Sequence, residues 1–464
     1  MKLARGTTLL VLLAFCFAYN QVQAEEVERP NVLFIAIDDL NDWIGCLDGH
    51  SQAKTPNIDR LAKSGVLFTN AHCQAPICNP SRVSLLTGVR PSTSGVYALN
   101  QPLRKAPALK SATTIPAQFK ASGYYVLGRG KIYHGKPYLD EWDNFKTSPD
   151  ARNNQFRVKP VSRLPKIRVR DFGPIDLPEE QFRDVINARW ASKELKRNFD
   201  KPFFMAVGFR LPHVPLYAPS RFFLNYPKDQ VNTPVIKEDD LADLPPAAKK
   251  ITRYMDSTPL NHRSILTTNS WQDAVAAYLA CTEFVDYCIG LILNSLSQSQ
   301  YAKKTLVVLW SDHGWHLGEK KLWAKRSLWE ESTRVPLIIS GPRFASNRCE
   351  KPVQLLDLYP TLVELCSLAK PPQKLEGNSL LPLLLQSTAC WPYPAITTFN
   401  YNDHSVRTDR WRYTSYANGD EELYDHSSDS NEWNNLIHDS NYRSVIAELK
   451  AHLPTVNVSG SDSR

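Results

Sequence analysis

The sequence predicts an α/β fold, a doubly wound mixed sheet flanked by helices, with a small α+β subdomain at the C-terminal end. Continuous apolar runs of strand length recur through the first 390 residues, and stretches with helix caps stand between them. After residue 390 the runs become short and alternating, with turn residues between them. A length of 464 residues with 42% hydrophobic content is enough for one large core and a smaller appendage.

Three stretches predict strands of the main sheet. The first, "NVLFIAI" at 31–37, is an almost continuous apolar run, as expected for a strand that is buried on both faces of a parallel sheet. The runs "KPFFMAVGF" at 201–209 and "KTLVVLWSDHG" at 304–314 predict two more buried strands.

Helices between these strands favour the strand–helix alternation of a parallel sheet. In "KTPNIDRLAKSG", Thr55 is predicted as the N-cap, Pro56 as the first helical residue and Gly65 as the end of the helix. A second helix is predicted around 271–293. Residues from about 145 to 180, rich in Arg, Pro and Asp, predict an irregular excursion.

The stretch "AITTFNYNDHSVRTDRWRYTSYANGDEELYDHSSDSNEWNNL" predicts an antiparallel meander followed by a helix, because short β-type runs alternate with turn residues such as "NGD". We therefore expect three parts in the chain: a signal peptide at 1–24, a large α/β domain at 25–390 and an antiparallel-sheet subdomain at 391–464.

The N-terminal segment has the three parts of a secretory signal peptide. Lys2 and Arg5 precede an apolar run from Leu9 to Ala18, and 22–24 form an A-x-A-like cleavage site. We expect export, to the periplasm or medium in a bacterium and to the lysosome or extracellular space in a eukaryote. The apolar run is shorter than a spanning helix, and no later segment is expected to span a bilayer.

The charge of the chain argues against nucleic acid as a partner. Removal of Lys2 and Arg5 with the signal peptide lowers the formal charge of +8 by two, to +6. That excess is modest, and no basic run with interleaved aromatic residues accompanies it. A mild positive bias suits an anionic substrate.

The chain has nine cysteines, which in an exported protein suggest disulfides. Cys16 leaves with the signal peptide. Cys281 and Cys288 lie on one predicted helix with a rise of about 10 Å between them, which is too far for a bridge. No pairing is assigned, and at least one thiol is expected to stay free.

Two predicted strands end in candidate metal ligands. Asp38 and Asp39 follow the first strand, and Asp312 and His313 follow the third. Because the carboxyl ends of parallel strands meet at one edge of a sheet, these side chains could converge on one point. Carboxylate oxygens favour Ca²⁺ or Mg²⁺. The alternative is that each pair is only a turn or a cap, where Asp is common.

Cys78 opens the stretch "CNPSRVSLLTG", which predicts the start of a helix. Pro80 occupies an early helical position, so residue 78 is placed beside the free N–H groups of a helix N-terminus, which favour an anion. Arg82, one turn further, could reach back to hold a charged oxygen there. The alternative for a single cysteine is a small buried hydrophobic residue.

These residues carry a resemblance to a known family. Cys78-Asn79-Pro80-Ser81-Arg82, followed by "LLTG", is similar to the C-x-P-S-R…L-T-G signature of type I sulfatases, and the resemblance runs over nearly the whole mature chain. It implies an alkaline-phosphatase-like fold. It also implies that a maturation enzyme converts Cys78 to formylglycine (3-oxoalanine), whose hydrate is the nucleophile.

Further motifs are similar to the iduronate-2-sulfatase branch. They are "GKIYH" at 130–134, "PHVP" followed by "AP" at 212–219, and "SDHGWHLGE" followed by "WAK" at 311–325. Leu211 departs from that branch, in which a lysine is usual before Pro-His. The departure concerns the substrate pocket more than the chemistry.

Mapped residue by residue, the resemblance implies one Ca²⁺ ion per chain, with Asp38, Asp39, Asp312, His313 and an oxygen of modified Cys78 as its ligands. It also implies a catalytic set in which Arg82 and Lys131 steady the nucleophile, Lys131 and Lys325 bind the sulfate oxygens, His213 is the general acid, and His134 accepts a proton.

The resemblance makes a sulfate ester of a sulfated, uronic-acid-containing glycan the expected substrate. Specificity is expected in the 145–180 excursion, around 211–225 and in the meander, where Arg407, Arg410 and Arg412 could bind an anionic group. Two alternatives stay open. One is a phosphodiesterase or phosphonate monoester hydrolase of the same superfamily, and the other is a catalytically silent binder of sulfated glycans.

Overall fold

The computed structural model describes residues 29–147, 161–162, 171–258 and 260–460, without the side chains of residues 255 and 256. The predicted signal peptide at 1–24 lies outside the described residues, as does most of the predicted 145–180 excursion.

The strands fall into one large sheet, one four-stranded sheet and three short pairs. Their bounds are β1 (Asn31–Asp38), β2 (Val66–Phe68), β3 (Ala71–His72), β4 (Tyr125–Gly130), β5 (Asn144–Lys146), β6 (Phe172–Ile175), β7 (Phe203–Pro212), β8 (Leu216–Pro219), β9 (Thr305–Ser311), β10 (His316–Leu317), β11 (Trp323–Ala324), β12 (Leu337–Ser340), β13 (Asn347–Cys349), β14 (Val353–Gln354), β15 (Ala395–Thr398), β16 (His404–Arg407), β17 (Trp411–Ser415) and β18 (Glu421–Asp425).

The α-helices lie mostly between the strands. Their bounds are α1 (Pro56–Ala62), α2 (Cys78–Thr87), α3 (Pro91–Ser94), α4 (Ile115–Ala121), α5 (Arg183–Glu194), α6 (Ser220–Phe223), α7 (Pro246–Asp256), α8 (His262–Thr267), α9 (Trp271–Ser297), α10 (Glu330–Thr333), α11 (Leu358–Leu365), α12 (Leu381–Leu385) and α13 (Arg443–Lys450).

The large sheet has eight strands in the order β13-β2-β12-β9-β1-β7-β4-β5. It is mixed, because β12 runs antiparallel to both of its neighbours while the other pairs are parallel. In the centre, Ala36 of β1 lies opposite Gly208 of β7 and Trp310 of β9. The residues that follow these three positions therefore leave the sheet at the same edge, as predicted for the candidate ligands.

The side chains of β1 explain why its sequence is apolar from Val32 to Ile37. Leu33, Ile35 and Ile37 belong to the core that also contains α5 and α9. Their neighbours Val32 and Phe34 belong to the core on the other face, with α11 and α12. Because both faces are covered, a polar side chain between Val32 and Ile37 would be buried among apolar side chains. The predicted doubly wound mixed sheet is confirmed.

Helix α9 corrects one expectation. It has 27 residues, and its mean hydropathy is 1.5 over an 18-residue window, so it has the length and composition of a membrane span. No such segment was expected after the signal peptide. Of that window, 83% is buried inside the protein. The helix packs against α5 and against α1. Its apolar side chains are therefore part of the protein core.

Helix α1 begins at Pro56, as predicted, but it ends at Ala62 rather than at Gly65. Thr55 is in the N-cap position, yet its hydroxyl accepts no hydrogen bond from the helix. Instead it accepts the backbone N–H of Gly45 at 2.8 Å. The cap comes from elsewhere, since Asp286 of α9 accepts the backbone N–H of Ile58 at 2.7 Å.

The C-terminal region forms the predicted antiparallel meander. The four strands β15 to β18 pair in sequence order, and all three pairs are antiparallel. Leu449 of α13 packs into a small core with Val406, Tyr413 and Leu423 from the sheet. The predicted combination of an antiparallel sheet and a helix is confirmed.

None of the cysteines that the structure describes forms a disulfide. All eight are free thiols, and only Cys390 is exposed.

Candidate active site

Four predicted ligands meet at the carboxyl edge of the large sheet. Asp38 is the last residue of β1, and Asp39 follows it with a φ of 66°, a left-handed backbone that turns the chain sharply out of the sheet. Asp312 and His313 follow β9 directly. Cys78 comes to the same point as the first residue of α2. Its position is one residue inside the helix, where the sequence predicted it just before the helix.

The donor atoms of Asp38, Asp39, Cys78 and His313 all lie within 4.8 Å of one another. Nε2 of His313 is 3.3 Å from Oδ1 of Asp39 and 3.3 Å from Sγ of Cys78. Asp312 is at the margin of this cluster. Its Oδ1 is 3.6 Å from Nε2 of His313 and accepts the backbone N–H of Asp39 at 3.2 Å.

The cluster fits a hard divalent cation. Oδ2 of Asp39 is buried and has no hydrogen-bond partner among the described residues, which is costly for a carboxylate unless a cation binds it. Burial raises the pKa of Asp39 to about 7, although Lys325 acts against the increase. Burial also lowers the pKa of His313, so that its imidazole is neutral, the form that binds a metal. The carboxylates of Asp38, Asp39 and Asp312 are the hard oxygen ligands that Ca²⁺ prefers, whereas the imidazole of His313 is a softer donor.

Two lysines reach the cluster from opposite parts of the chain. Nζ of Lys131 pairs with Asp38 and is 3.7 Å from Sγ of Cys78. Nζ of Lys325 pairs with Oδ1 of Asp39 at 2.5 Å and is 3.2 Å from the same sulfur atom. Burial would raise the pKa of Asp38, but Lys131, His213, Arg82 and Lys325 together outweigh it and hold the pKa well below the usual value. The two lysines thus flank residue 78.

Arg82 is close to the cluster, but it has other partners than the sequence predicted. Its Nε donates to Oδ2 of Asp312 at 2.8 Å, and its Nη2 donates to Oδ1 of Asp38 at 3.4 Å. Its Nη1 donates to the backbone carbonyl groups of Lys131 and Ile132. With 1% of its surface exposed, the guanidinium group joins the ends of β1, β4 and β9 rather than reaching back to residue 78.

The surroundings of Cys78 suit an oxygen better than a thiol. Within 3.9 Å of its sulfur lie two ammonium groups, an imidazole nitrogen and a carboxylate oxygen. Burial and the charge of Asp38 raise the pKa of the Cys78 thiol, so that a reactive thiolate is disfavoured. The side chain is only 2% exposed. An aldehyde hydrate at this position could donate to and accept from the same neighbours.

The two predicted proton-transfer histidines both face the cluster, but neither contacts Cys78. Nε2 of His213 is 4.0 Å from Oδ2 of Asp39, and its Nδ1 donates to the carbonyl of Val214 at 2.6 Å. Burial, with Lys325 and other nearby cations, holds the pKa of His213 well below its usual value. Burial and Lys131 lower the pKa of His134 to about 4.

A cavity of about 370 Å³ opens beside the cluster. It brings together three predicted residues with two that the sequence analysis missed, Arg183 and Arg210. Arg210 lies near the carboxyl end of β7, and His213 follows the last residue of that strand directly. The rule that was applied to the other strand ends could therefore have found Arg210. Arg183 had no signal in the sequence. The predicted residues that line the cavity are Lys131, His134 and His213.

The arginines of the C-terminal meander do not serve as predicted. Arg412 is 1% exposed and pairs with Glu330 and Glu432. Arg407 pairs with Glu330 at 3.2 Å, and Arg410 with Asp425. These guanidinium groups are already bound to carboxylates of the protein, so they are poor candidates for binding a substrate anion.

Family models match most of the chain. The model described as "Sulfatase" matches residues 30–368, and the model described as "N-sulphoglucosamine sulphohydrolase, C-terminal" matches residues 318–459. A sulfatase of Formosa agariphila is 39% identical over 465 residues, which cover 94% of this chain and 89% of the relative. The iduronate 2-sulfatase of Homo sapiens is 31% identical over 423 residues, which cover 78% of this chain and 74% of the relative.

Two solved structures are similar over nearly the full length. The structure of a 2-O GAG sulfatase superposes with a TM-score of 0.71 at 25% identity and covers 91% of each chain. The phosphonate monoester hydrolase of Agrobacterium radiobacter superposes with a TM-score of 0.76 at 21% identity, covering 92% of this chain and 97% of the other. At that identity the second likeness concerns the fold alone.

Proposed function

Because the chain belongs to the sulfatase family and is thereby a sulfuric ester hydrolase, we propose that it removes a sulfate group from a sulfated glycan that contains uronic acid. The observation that carries the proposal is the convergence of Cys78 with buried carboxylates, His313 and two lysines at one edge of the sheet. The family resemblance and the alkaline-phosphatase-like fold predicted from the sequence are confirmed.

The substrate class is inferred from relatives. An iduronate 2-sulfatase and a 2-O GAG sulfatase are among the similar proteins, and both names refer to sulfate on acidic glycans. The cavity beside the cluster is lined by basic side chains, which agrees with an acidic sugar.

We propose that residue 78 acts as a formylglycine hydrate and that Ca²⁺ is held by Asp38, Asp39, Asp312 and His313 together with residue 78. When bound, the ion supplies a positive charge beside the reacting oxygen. The predicted ligand Asp312 would contribute through Oδ1, because its Oδ2 is engaged by Arg82.

We assign the two lysines that flank residue 78 to the binding of the sulfate group. Nζ of Lys131 and Nζ of Lys325 are 3.7 and 3.2 Å from Sγ of Cys78, so a sulfate beside that atom would lie within hydrogen-bond distance of both. Both ammonium groups would stabilise charge that develops on the sulfate oxygens.

The histidines are assigned roles by their protonation. His134, with a pKa of about 4, is unprotonated at neutral pH and can accept a proton. His213 would donate a proton from Nε2 to the leaving sugar oxygen, since its Nδ1 is held by the carbonyl of Val214. Its low pKa opposes this role in the free protein, and the negative charge of a bound sulfate ester would raise that pKa.

The first test is mass spectrometry of the peptide that contains Cys78, on protein made in a host with the maturation machinery. We expect the mass of formylglycine and an aldehyde that can be trapped. The same preparation should hydrolyse a 2-O-sulfated hexuronate disaccharide faster than the matching phosphate ester, and Cys78→Ala should lose this activity. Conversion without sulfate-ester hydrolysis, or a preference for the phosphate, would contradict the proposal. An unconverted thiol, beside a control sulfatase that is converted, would favour the silent binder.

The metal is tested without turnover. We expect Ca²⁺ to raise the unfolding temperature of protein treated with a chelator, by an amount that corresponds to about 2.7 kcal/mol at 100 times its Kd. Asp39→Asn should abolish the increase, whereas Asp273→Asn on the surface should retain it. Equal increases in both variants would contradict the assigned site.

We also propose that residues 1–24 direct export, to the periplasm or medium in a bacterium or to the lysosome or extracellular space in a eukaryote, and that the α/β domain at 25–390 is followed by a subdomain at 391–464. N-terminal sequencing of the mature protein tests the first part. A mature chain that still begins at Met1 would contradict it.

A further inference from the structure

The cavity beside the cluster contains two arginines that the proposed chemistry does not use. Arg183 and Arg210 line the same 370 Å³ space as Lys131, His134 and His213. No acidic side chain lines this space among the described residues. The volume falls within the range of pockets that bind small ligands, and it exceeds what a sulfate group alone requires.

Arg210 is directed into the cavity by strand geometry. Successive side chains of a strand point to opposite faces, and the next residue, Leu211, is 7% exposed and packs in the core that contains α9. The iduronate-2-sulfatase branch usually has a lysine where this chain has Leu211. Here the cationic side chain stands one position earlier, on the other face of the strand.

Arg183 is brought to the same place by its neighbour. Asp184 is 2% exposed, and its carboxylate oxygens accept the backbone N–H groups of Arg210 and Leu211, each at 3.0 Å. The first turn of α5 is thereby tied to the end of β7. Because the carboxylate of Asp184 is engaged by backbone donors, it fixes the positions of both arginines from outside the cavity lining.

We propose that Arg183 and Arg210 bind a carboxylate on the sugar ring that carries the scissile sulfate, so that they select acidic over neutral sugars; this inference rests on the proposed function. A guanidinium group offers paired N–H donors that match the two oxygens of a carboxylate. Lys131, whose Nζ is 3.7 Å from Sγ of Cys78, joins the cavity to the sulfate position. One sugar ring could therefore have its sulfate group beside Cys78 and its carboxylate beside the two arginines.

The two arginines are not equivalent. Nη2 of Arg210 donates to the carbonyl of Val214 at 3.3 Å and is 3.3 Å from Nδ1 of His213. Changing Arg210 would thus disturb His213, and its effect would appear in kcat as well as in KM. Arg183 has no such contact with His213 in the structure as described, so it provides the cleaner test.

The test compares a 2-O-sulfated hexuronate disaccharide with the same disaccharide after reduction of its carboxyl group to a hydroxymethyl group. In the active protein, Arg183→Gln should lower the ratio of kcat/KM for the acidic over the reduced substrate by about 10- to 100-fold, mainly through KM. Arg210→Gln should lower the same ratio and also lower kcat. Arg189→Gln is the matched control, because Arg189 lies on the same helix and is exposed.

A second measurement separates this inference from the proposed function. Calorimetry with the Cys78→Ala background measures binding of both disaccharides without any turnover, and Arg183→Gln should weaken binding of the acidic one about tenfold or more. If the protein proves not to hydrolyse sulfate esters, this binding difference still decides the inference. An affinity ratio that Arg183→Gln leaves unchanged, or that Arg189→Gln changes equally, overturns it.

Discussion

At the scale of single residues, Arg82 is the side chain that connects the strand ends beneath the site. It is 1% exposed and bonds to two carboxylates, Asp38 and Asp312, which are fully buried. Arg82→Met should lower the free energy of unfolding by about 3–5 kcal/mol, because Asp312 and Asp38 each lose a buried cation, although Asp38 keeps its pair with Lys131. Urea unfolding in the presence of a chelator measures this.

Arg82→Lys is the informative comparison for that variant. A lysine keeps the charge, but its donors diverge from a single nitrogen, whereas Arg82 reaches its partners from Nε, Nη1 and Nη2. The stability of Arg82→Lys should therefore fall between that of the unaltered protein and that of Arg82→Met. If all three proteins unfolded at the same urea concentration, the connecting role of Arg82 would be wrong.

His316 gives a prediction about pH. It is fully buried, its Nε2 is 2.7 Å from Oγ of Ser327, and burial lowers its pKa from 6.5 to about 3. Below pH 6.5 His316 binds a proton in the unfolded chain but not in the folded chain. The free energy of unfolding therefore decreases as the pH falls, by up to about 1.4 kcal/mol per pH unit. His316→Gln should therefore be less stable than the unaltered protein by about 1 kcal/mol at pH 7.5. The difference should vanish near pH 6, and at pH 4.5 His316→Gln should be the more stable protein by roughly 1–2 kcal/mol.

Thermal unfolding of both proteins across this pH range measures the difference. A difference that stays constant would mean that His316 is protonated in the folded protein.

The residues of the site differ in how far the sequence could reveal them. Cys78, Asp38 and Asp312 follow from strand ends and a helix start, which are local patterns. Arg183 could not be found in this way, since it reaches the cavity only because a neighbouring carboxylate binds the backbone of β7, 26 residues away along the chain. The real partners of Arg82 also depend on tertiary packing, which local spacing does not contain.

At the scale of elements, α1 also depends on a tertiary contact that local sequence does not reveal. Its start follows from Pro56, but its N-terminus is capped by Asp286, which is 228 residues from Ile58. Burial raises the pKa of this carboxyl to about 6. Asp286→Ala should lower the free energy of unfolding by about 1–2 kcal/mol, the range for loss of a helix cap.

The control for this variant is Glu283→Ala, one turn earlier on α9, where the half-buried carboxylate accepts hydrogen bonds from Asn225 and does not cap a helix. Its effect should stay within about 0.5 kcal/mol. Equal losses in the two variants, measured by urea unfolding, would show that α9 rather than the cap is being tested.

The elements that the sequence predicted well are those with long, regular patterns. Strands β1, β7 and β9 were found because their apolar runs reflect burial on both faces. Strands of two or three residues, such as β10 and β11, leave no periodic signal at that length. The long apolar helix α9 has the composition of a membrane span, and only its tertiary contacts reveal that it is a core helix.

At the scale of the whole molecule, Arg412 joins the C-terminal sheet to the large domain. From β17 its Nη1 donates to the carbonyl of Leu328 at 3.0 Å, and the guanidinium group pairs with Glu330 of α10 and with Glu432. Arg412→Met should cost about 3–5 kcal/mol, since two buried carboxylates lose a partner. Arg410→Met, in the same turn, removes a half-exposed guanidinium group that pairs with Asp425 and should cost less stability than Arg412→Met.

Calorimetric unfolding also shows whether the two parts melt together. We expect a single transition in the unaltered protein and two transitions in Arg412→Met. A single transition at an unchanged temperature in Arg412→Met would mean that other contacts hold the sheet in place.

The positions of the site residues along the chain determine when, during translation, the residues that surround Cys78 become available to bury it. His313 and Lys325 follow Cys78 by 235 and 247 residues, so a ribosome needs roughly 12 to 50 seconds to add them. Until then the cysteine belongs to an unfinished chain that another enzyme can reach, and after folding it is 2% exposed. The proposed conversion of Cys78 would then compete with folding during synthesis, so slower translation should increase the fraction of converted protein without any change of sequence.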